Sequence, residues 1–283
     1  MIGARGHDIA AMCAGKLAEA MKTRGFSAVQ LVPYRGIPGI GDAPGQITPA
    51  LARGIRQEFE SRGIHIALMG CYFNMLEPEG PCLRANVERF SEYLRYAADF
   101  GCRLVGTETG SYNKDMSFHP DNHGEKAYQR VLKIFRELLP EAQNHGSIIA
   151  IEGLYNYAIS TPPRLKRLLD DLDSSNVQVI FDPVNLLHER NALNSRELVQ
   201  EAFDLFGDRI LVIHAKDFIL EDGKIRTVPL GEGLLNYDHL LTLASEHKPY
   251  IDVIIEDLRG DELDRSRRFL EEKMKAVGMP VLY

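Results

Sequence analysis

Four ionisable residues stand where apolar runs end. Glu152 closes SIIAIE, Asp182 closes VQVIFD, His214 closes ILVIH and Glu256 closes DVIIE. An Asp followed by Pro is an ordinary turn opener, so Asp182 alone would decide nothing. Four metal-capable residues on four successive runs, each about one strand–helix unit apart, are harder to reach by accident. Three carboxylates held together in a dry cavity repel one another, and a divalent cation removes that conflict. Three carboxylates and one imidazole form a mixed O/N donor set suited to Mn²⁺, Mg²⁺, Co²⁺ or Zn²⁺. No cysteine sits at these ends, which excludes a Cys-rich structural zinc site.

These residues need elements to position them. Strand-length apolar runs lie near Ile2–His7, Ala28–Val32, Ile64–Gly70, Arg103–Thr107, Ser147–Glu152, Val177–Asp182, Ile210–His214 and Asp252–Glu256. Segments of helical periodicity alternate with them: Gly15–Arg24, Pro49–Arg62, Arg84–Phe100, Glu125–Asn144, Pro162–Leu172, Ser195–Phe206, Tyr237–Glu246 and Asp261–Ala276. Several strands are apolar on both faces, as a parallel sheet covered by helices requires. Eight βα repeats predict an α/β fold, a single (β/α)8 TIM barrel forming one domain over residues 1–283. An open doubly wound sheet is the main alternative, but no GxGxxG follows the first strand. Side chains alternate along a strand, so Ala150, Ile180, Val212 and Ile254 should share the face of the four strand-end residues. The long loops 33–48 and 109–122 both follow strands, on the face where barrel enzymes keep their active sites.

The chain has 283 residues, 45% hydrophobic and 26% charged, a normal mix for a folded globular protein. A net charge of −7 with no basic block disfavours nucleic acid and favours a small-molecule partner. No segment approaches the length of a membrane span. The first residues lack the apolar core of a signal peptide, and the four cysteines form no CxxC pair and lie in or beside apolar runs, where they are expected to be small buried hydrophobes. A cytoplasmic location is therefore expected. Homo-oligomerisation is left open.

The motifs IAIEG, IFDPVN, VIHAKD and VIIEDL, with GEGLLNY at 231–237, resemble the xylose isomerase-like barrel superfamily. The closer likeness is to its sugar phosphate isomerase/epimerase branch of ketose 3-epimerases and inosose dehydratases. The resemblance runs from RGHD at 5–8 to the last helix. It implies that Glu152, Asp182, His214 and Glu256 hold one divalent metal, usually Mn²⁺, and that Glu152 and Glu256 also form the catalytic acid/base pair. The implied activity is isomerisation or epimerisation of a sugar or sugar derivative through a metal-stabilised enediolate. Two departures bear on substrate. Where many relatives have a substrate-contacting His three residues after the Asp, this chain has Asn185, which can hold a hydroxyl. Where epimerases often carry an Arg six residues after the metal His, this chain has Leu220, and Lys216 is expected to supply the cation instead. His7, taken as the end of the first strand with Asp8 after it, Glu108, Tyr72 and Asn74 are further candidates for substrate contact, RGHD at 5–8 either lining the pocket or holding a buried polar pair, whereas His119 and His123 read as surface histidines.

Dehydration on the same site is the nearest rival, since an enediolate can expel a β-hydroxyl instead of being reprotonated. An apurinic endonuclease-like phosphodiesterase is disfavoured, because Asn185 and Glu108 stand where extra histidines would be needed, RTVPLGEG lacks an Asp-x-His pair, and the chain is acidic. A non-catalytic sugar-binding barrel has no need of paired carboxylates on a metal.

Overall fold

The structure, a computed structural model, describes residues 1–281. Eight parallel strands close into a barrel: β1 (Ile2–Arg5), β2 (Ala28–Leu31), β3 (His65–Gly70), β4 (Leu104–Thr107), β5 (Ile148–Glu152), β6 (Val177–Phe181), β7 (Ile210–Ala215) and β10 (Asp252–Ile255). Closure pairs β1 with β10, Gly3 opposite Ile254, so the first and last strands become neighbours. Amphipathic helices pack outside. Their starts follow local chemistry: the Thr48 side chain accepts from Leu51 N ahead of Pro49, Thr161 accepts from Arg164 N ahead of Pro162, and Asn236 accepts from His239 N.

The core divides as a barrel requires. The larger cluster lies between sheet and helices, and a smaller one of Ala28, Ala67, Leu68, Ala150, Ile180, Val212 and Ile254 fills the lumen. Ala150, Ile180, Val212 and Ile254, the residues two positions before the four strand-end groups, therefore share the interior as alternation predicts. Gly106 makes room in that lumen, since a Cβ there would meet Ile180 at 2.8 Å and Leu68 at 3.0 Å.

Several local expectations need correction. The first strand ends at Arg5, and His7 lies in a short helical turn, Gly6–Ile9, because the chain bends over the barrel rim. Asp182 and Glu256 stand just beyond β6 and β10 rather than within them. The third helix begins earlier, at Pro81, with proline in its first turn. Cys71 and Cys102 are buried as expected, but Cys13 and Cys82 are exposed.

A hairpin absent from the sequence reading follows β7: β8 (Asp217–Glu221) and β9 (Lys224–Val228), antiparallel. Its turn is Asp222-Gly223, both residues at positive φ, the dipeptide that two-residue hairpins favour. Asp217 fastens its base. One carboxylate oxygen accepts from Phe218 N and Leu235 N at 2.9 and 3.0 Å, the other from Gly231 N and Gly233 N at 2.9 and 3.1 Å. A Cβ on Gly233 would lie 2.2 Å from Asp217 Oδ1, which is why the GEG turn passes so closely. Asp217 is 1% exposed, so Asp217→Ala strands these donors and should cost about 3 kcal/mol. Urea unfolding checks this; an unchanged midpoint would mean the loop finds other acceptors.

Candidate active site at the barrel mouth

Each strand-end residue reaches the mouth by its place in the sheet. Glu152 is the last residue of β5, Asp182 follows β6, His214 is the penultimate residue of β7, and Glu256 follows β10. In the barrel, β5, β6, β7 and β10 are consecutive neighbours. All four side chains are buried, and one donor atom from each lies within 4.8 Å of the others. Among the described residues this is the one such group of potential metal ligands.

The internal contacts assign each atom a surrounding. His214 Nδ1 lies 3.2 Å from Glu256 Oε1 and 3.3 Å from Glu152 Oε2, neither aligned as a hydrogen bond. Asp182 Oδ1 accepts from Val184 N and Asn185 N at 2.9 and 3.1 Å, which builds the Asp-Pro turn. Its Oδ2 turns the other way, into the cluster, and lacks an aligned donor although the Lys216 ammonium is 3.0 Å away. Asp182 is thus a turn former and a cluster member at once. Buried oxygen and nitrogen atoms that converge without aligned partners are the donor set a divalent cation satisfies, so the residues present fit such an ion.

Other candidates surround this group. Asn185 donates to Glu152 Oε1 at 2.6 Å and accepts from Lys216 Nζ at 3.1 Å. Lys216 Nζ also lies 3.0 Å from Glu256 Oε2 and 3.2 Å from Asp257 Oδ2. Leu220, by contrast, lies on hairpin strand β8. A cavity of about 260 Å³ opens above, lined by His7, Tyr72, Glu108, Asn185, Lys216 and Glu256 among others. Tyr72 is fixed by Gln30 Nε2, which donates to its hydroxyl at 2.6 Å. Asn74 is committed elsewhere: its amide holds Ser111 and Leu76 backbone groups.

Arg5, from the RGHD stretch expected at the pocket, lines this cavity too, as do Arg35 and Asp257, which the sequence did not single out. Arg5 pairs with Asp8 at 2.7 Å and with Asp257, and approaches Glu256 Oε2 at 3.6 Å. Asp8 therefore partners Arg5 rather than its neighbour His7. The pairing of Arg5 with Asp257 and its approach to Glu256 left no local signal, because these residues, just beyond the last strand, become its neighbours only when the barrel closes.

Charge sets distinct proton affinities. Burial tends to lower the His214 pKa, but Glu256 and Glu152 outweigh it and lift it to about 9. Burial tends to raise Glu256, but His214, Lys216 and Arg5 outweigh it and hold it at about 2. Asp182 is lifted by burial to about 6 against the pull of Lys216. Burial, with Glu152 and Glu256 nearby, pushes Glu108 to about 8. An imidazole must be neutral to ligate, so a cation entering the metal-free cluster displaces a proton from His214. Metal affinity should thus fall about tenfold per pH unit below about 9, and more steeply below about 6 as Asp182 also protonates. Calorimetric metal titration at pH 7.5 in buffers of different ionisation enthalpy should report about one proton released. Zero release would refute the ligand role of His214.

Comparison with known proteins agrees with this architecture. A family model described as a xylose isomerase-like TIM barrel matches residues 18–273. No curated protein matches the chain. Among solved structures, a D-tagatose 3-epimerase-like protein is 18% identical with a TM-score of 0.74, over 98% of this chain and 97% of that one. A D-psicose 3-epimerase determined with D-fructose is 18% identical with a TM-score of 0.73, over 98% and 99%. A xylose isomerase-like TIM barrel protein from Mycobacterium smegmatis in complex with magnesium is 17% identical with a TM-score of 0.71, over 93% and 90%. At these identities the likeness establishes the fold.

Proposed function

The chain belongs to the xylose isomerase-like TIM barrel family, and from that premise we propose that it is a divalent-metal-dependent isomerase or epimerase of a sugar or sugar derivative. The observation that supports this most is the convergence of Glu152, Asp182, His214 and Glu256, buried, within 4.8 Å. In this reading those four residues hold one divalent ion, Mn²⁺ first, with Mg²⁺, Co²⁺ or Zn²⁺ also suited to the donors. When bound, that ion acidifies the C–H beside the substrate carbonyl and stabilises the negative charge of the enediolate.

The chain's own groups move the proton. Epimerisation takes a proton from one face of a carbon and returns one to the other, so it needs two groups on different sides. Glu152 and Glu256 come from β5 and β10, with β6 and β7 between them, and lie on either side of His214. Their surroundings differ. Asn185 orients Glu152 through its amide, whereas Glu256 faces the cations Lys216 and Arg5. The two carboxylates act as acid and base in turn. Asn185, Lys216, His7, Tyr72 and Glu108 line the cavity and position the hydroxyls.

Dehydration remains a second reading for one reason. Glu108 lines the cavity, and burial with Glu152 and Glu256 nearby raises its proton affinity, so its carboxyl is placed to donate to a departing hydroxyl. One experiment tests both. The metal-loaded protein is incubated with a ketose panel in deuterated water and followed by NMR. Deuterium at the carbon beside the carbonyl, with a new epimer or isomer, supports the proposal. Loss of water without label in recovered sugar favours dehydration. Neither outcome with any of the four metals overturns both.

A further inference from the structure

The reacting chamber is not the end of the cleft. Its volume of about 260 Å³ falls below the roughly 300–1,000 Å³ of most ligand pockets. Leu154, Asn185, Lys216 and Asp257 are shared with an adjoining chamber of about 610 Å³, more than twice as large. One wall of that chamber is aromatic. His188 and Tyr155 stack at 4.1 Å, and Tyr155 and Phe118 lie nearly parallel, at 5° and 5.9 Å between centroids. His123 braces this row edge-on, 5.2 Å from Phe118 and 5.3 Å from Tyr155. It is therefore not the free surface histidine the sequence suggested. The outermost ring, Phe118, is 41% exposed. The chamber is also lined by hydrogen-bonding groups, Asn156 and Glu189 from the loops and Lys224 and Thr227 from β9.

An exposed phenyl ring on a long loop would ordinarily be mobile, but this loop is fastened from within. Asn122, fully buried, accepts from Tyr112 N at 3.0 Å, donates to Ser111 Oγ at 2.9 Å and reaches across to Asn156 O at 2.7 Å. Ser111 Oγ donates to Ser117 O at 2.6 Å, and Asn113 Nδ2 donates to Phe118 O at 2.9 Å. Phe118 is thus held in place before any ligand arrives, which lowers the ordering cost of binding.

We propose that this chamber is a second sugar subsite, and that the natural substrate is a glycosylated sugar whose second ring rests against the Phe118–Tyr155–His188 row while its first ring reacts. A pyranose offers an apolar C–H face and a rim of hydroxyls. The chamber offers aromatic surface for the face and Asn156, Glu189, Lys224 and Thr227 for the rim. The proposal rests on the isomerase reading for the reaction of the first ring, but not for the contact made by the second.

The test uses full-length, metal-loaded protein with D-fructose, lactulose (fructose galactosylated at O4) and isomaltulose (fructose glucosylated at O6). Deuterium exchange beside the carbonyl should show at least a tenfold higher kcat/KM for one glycosyl ketose than for fructose. Phe118→Ala should reduce that ratio at least tenfold, and Phe118→Tyr should restore it. Saturation-transfer NMR should show contact at the non-reducing ring, lost in Phe118→Ala. Equal or better exchange of fructose, with no saturation of the second ring, overturns the subsite and leaves the isomerase reading standing. If no ketose exchanges, that reading fails, and saturation transfer alone judges the subsite: second-ring contact removed by Phe118→Ala upholds it, and its absence overturns it.

Discussion

Glu152→Gln and Glu256→Gln should each lower deuterium exchange into substrate by about 10³-fold, within the range of a lost acid or base. Glutamine keeps the shape and one oxygen donor but cannot take up or release a proton at neutral pH. The two variants should differ in what else they lose. In Glu256→Gln the new amide would stand beside Lys216 and Arg5, two cations whose carboxylate partner is gone, although Asp182, Asp257 and Asp8 remain to pair them. In Glu152→Gln the new amide would face that of Asn185, which loses an acceptor at 2.6 Å unless one of the two flips. Both variants should remain folded, because the lumen cluster beneath them is untouched. Metal content must be measured in parallel, since each variant also removes an anionic ligand. Exchange near the wild-type rate in either variant, with metal bound, rules out the acid/base role of that residue.

The second large effect is expected from stripping the divalent ion. Activity should fall to background in chelator and return on adding Mn²⁺. Stability should fall as well. A ligand at a free concentration a hundred times its dissociation constant stabilises the folded state by about 2.7 kcal/mol, which should appear as a melting temperature several degrees higher than in chelator. The metal-free protein should still fold. Lys216 and a protonated His214 already place positive charge among Glu152, Asp182 and Glu256, so the carboxylates are not left to repel one another unscreened. Identical activity and melting with and without chelator would remove the metal from the mechanism.

Much of this protein was legible in its sequence because the governing rules are local. Strand periodicity is two residues, so a run ending in Glu152 or Asp182 also identifies Ala150 and Ile180 as lumen residues. Eight such runs alternating with amphipathic helices admit few topologies, and parallel strands in order bring their tips together. The four-residue cluster follows from that regularity. The hairpin Asp217–Val228 was legible in principle through Asp222-Gly223, a turn signal between two strand-like runs, but the regular βα pattern hid it.

Other features were decided by tertiary structure alone. Arg5 meets Asp257 only because closure sets β1 beside β10, a contact across nearly the whole chain. The aromatic row draws Phe118, Tyr155 and His188 from three separate loops, and Asn122 ties two of those loops together. Asn185 acquires its orientation from Glu152, at the end of β5, and Lys216, just beyond β7. Sequence determines which residues a strand delivers to its tip, because alternation is a property of the backbone. What those residues face is a property of loops and of barrel closure, where contacts join positions far apart in the chain and no local period records them.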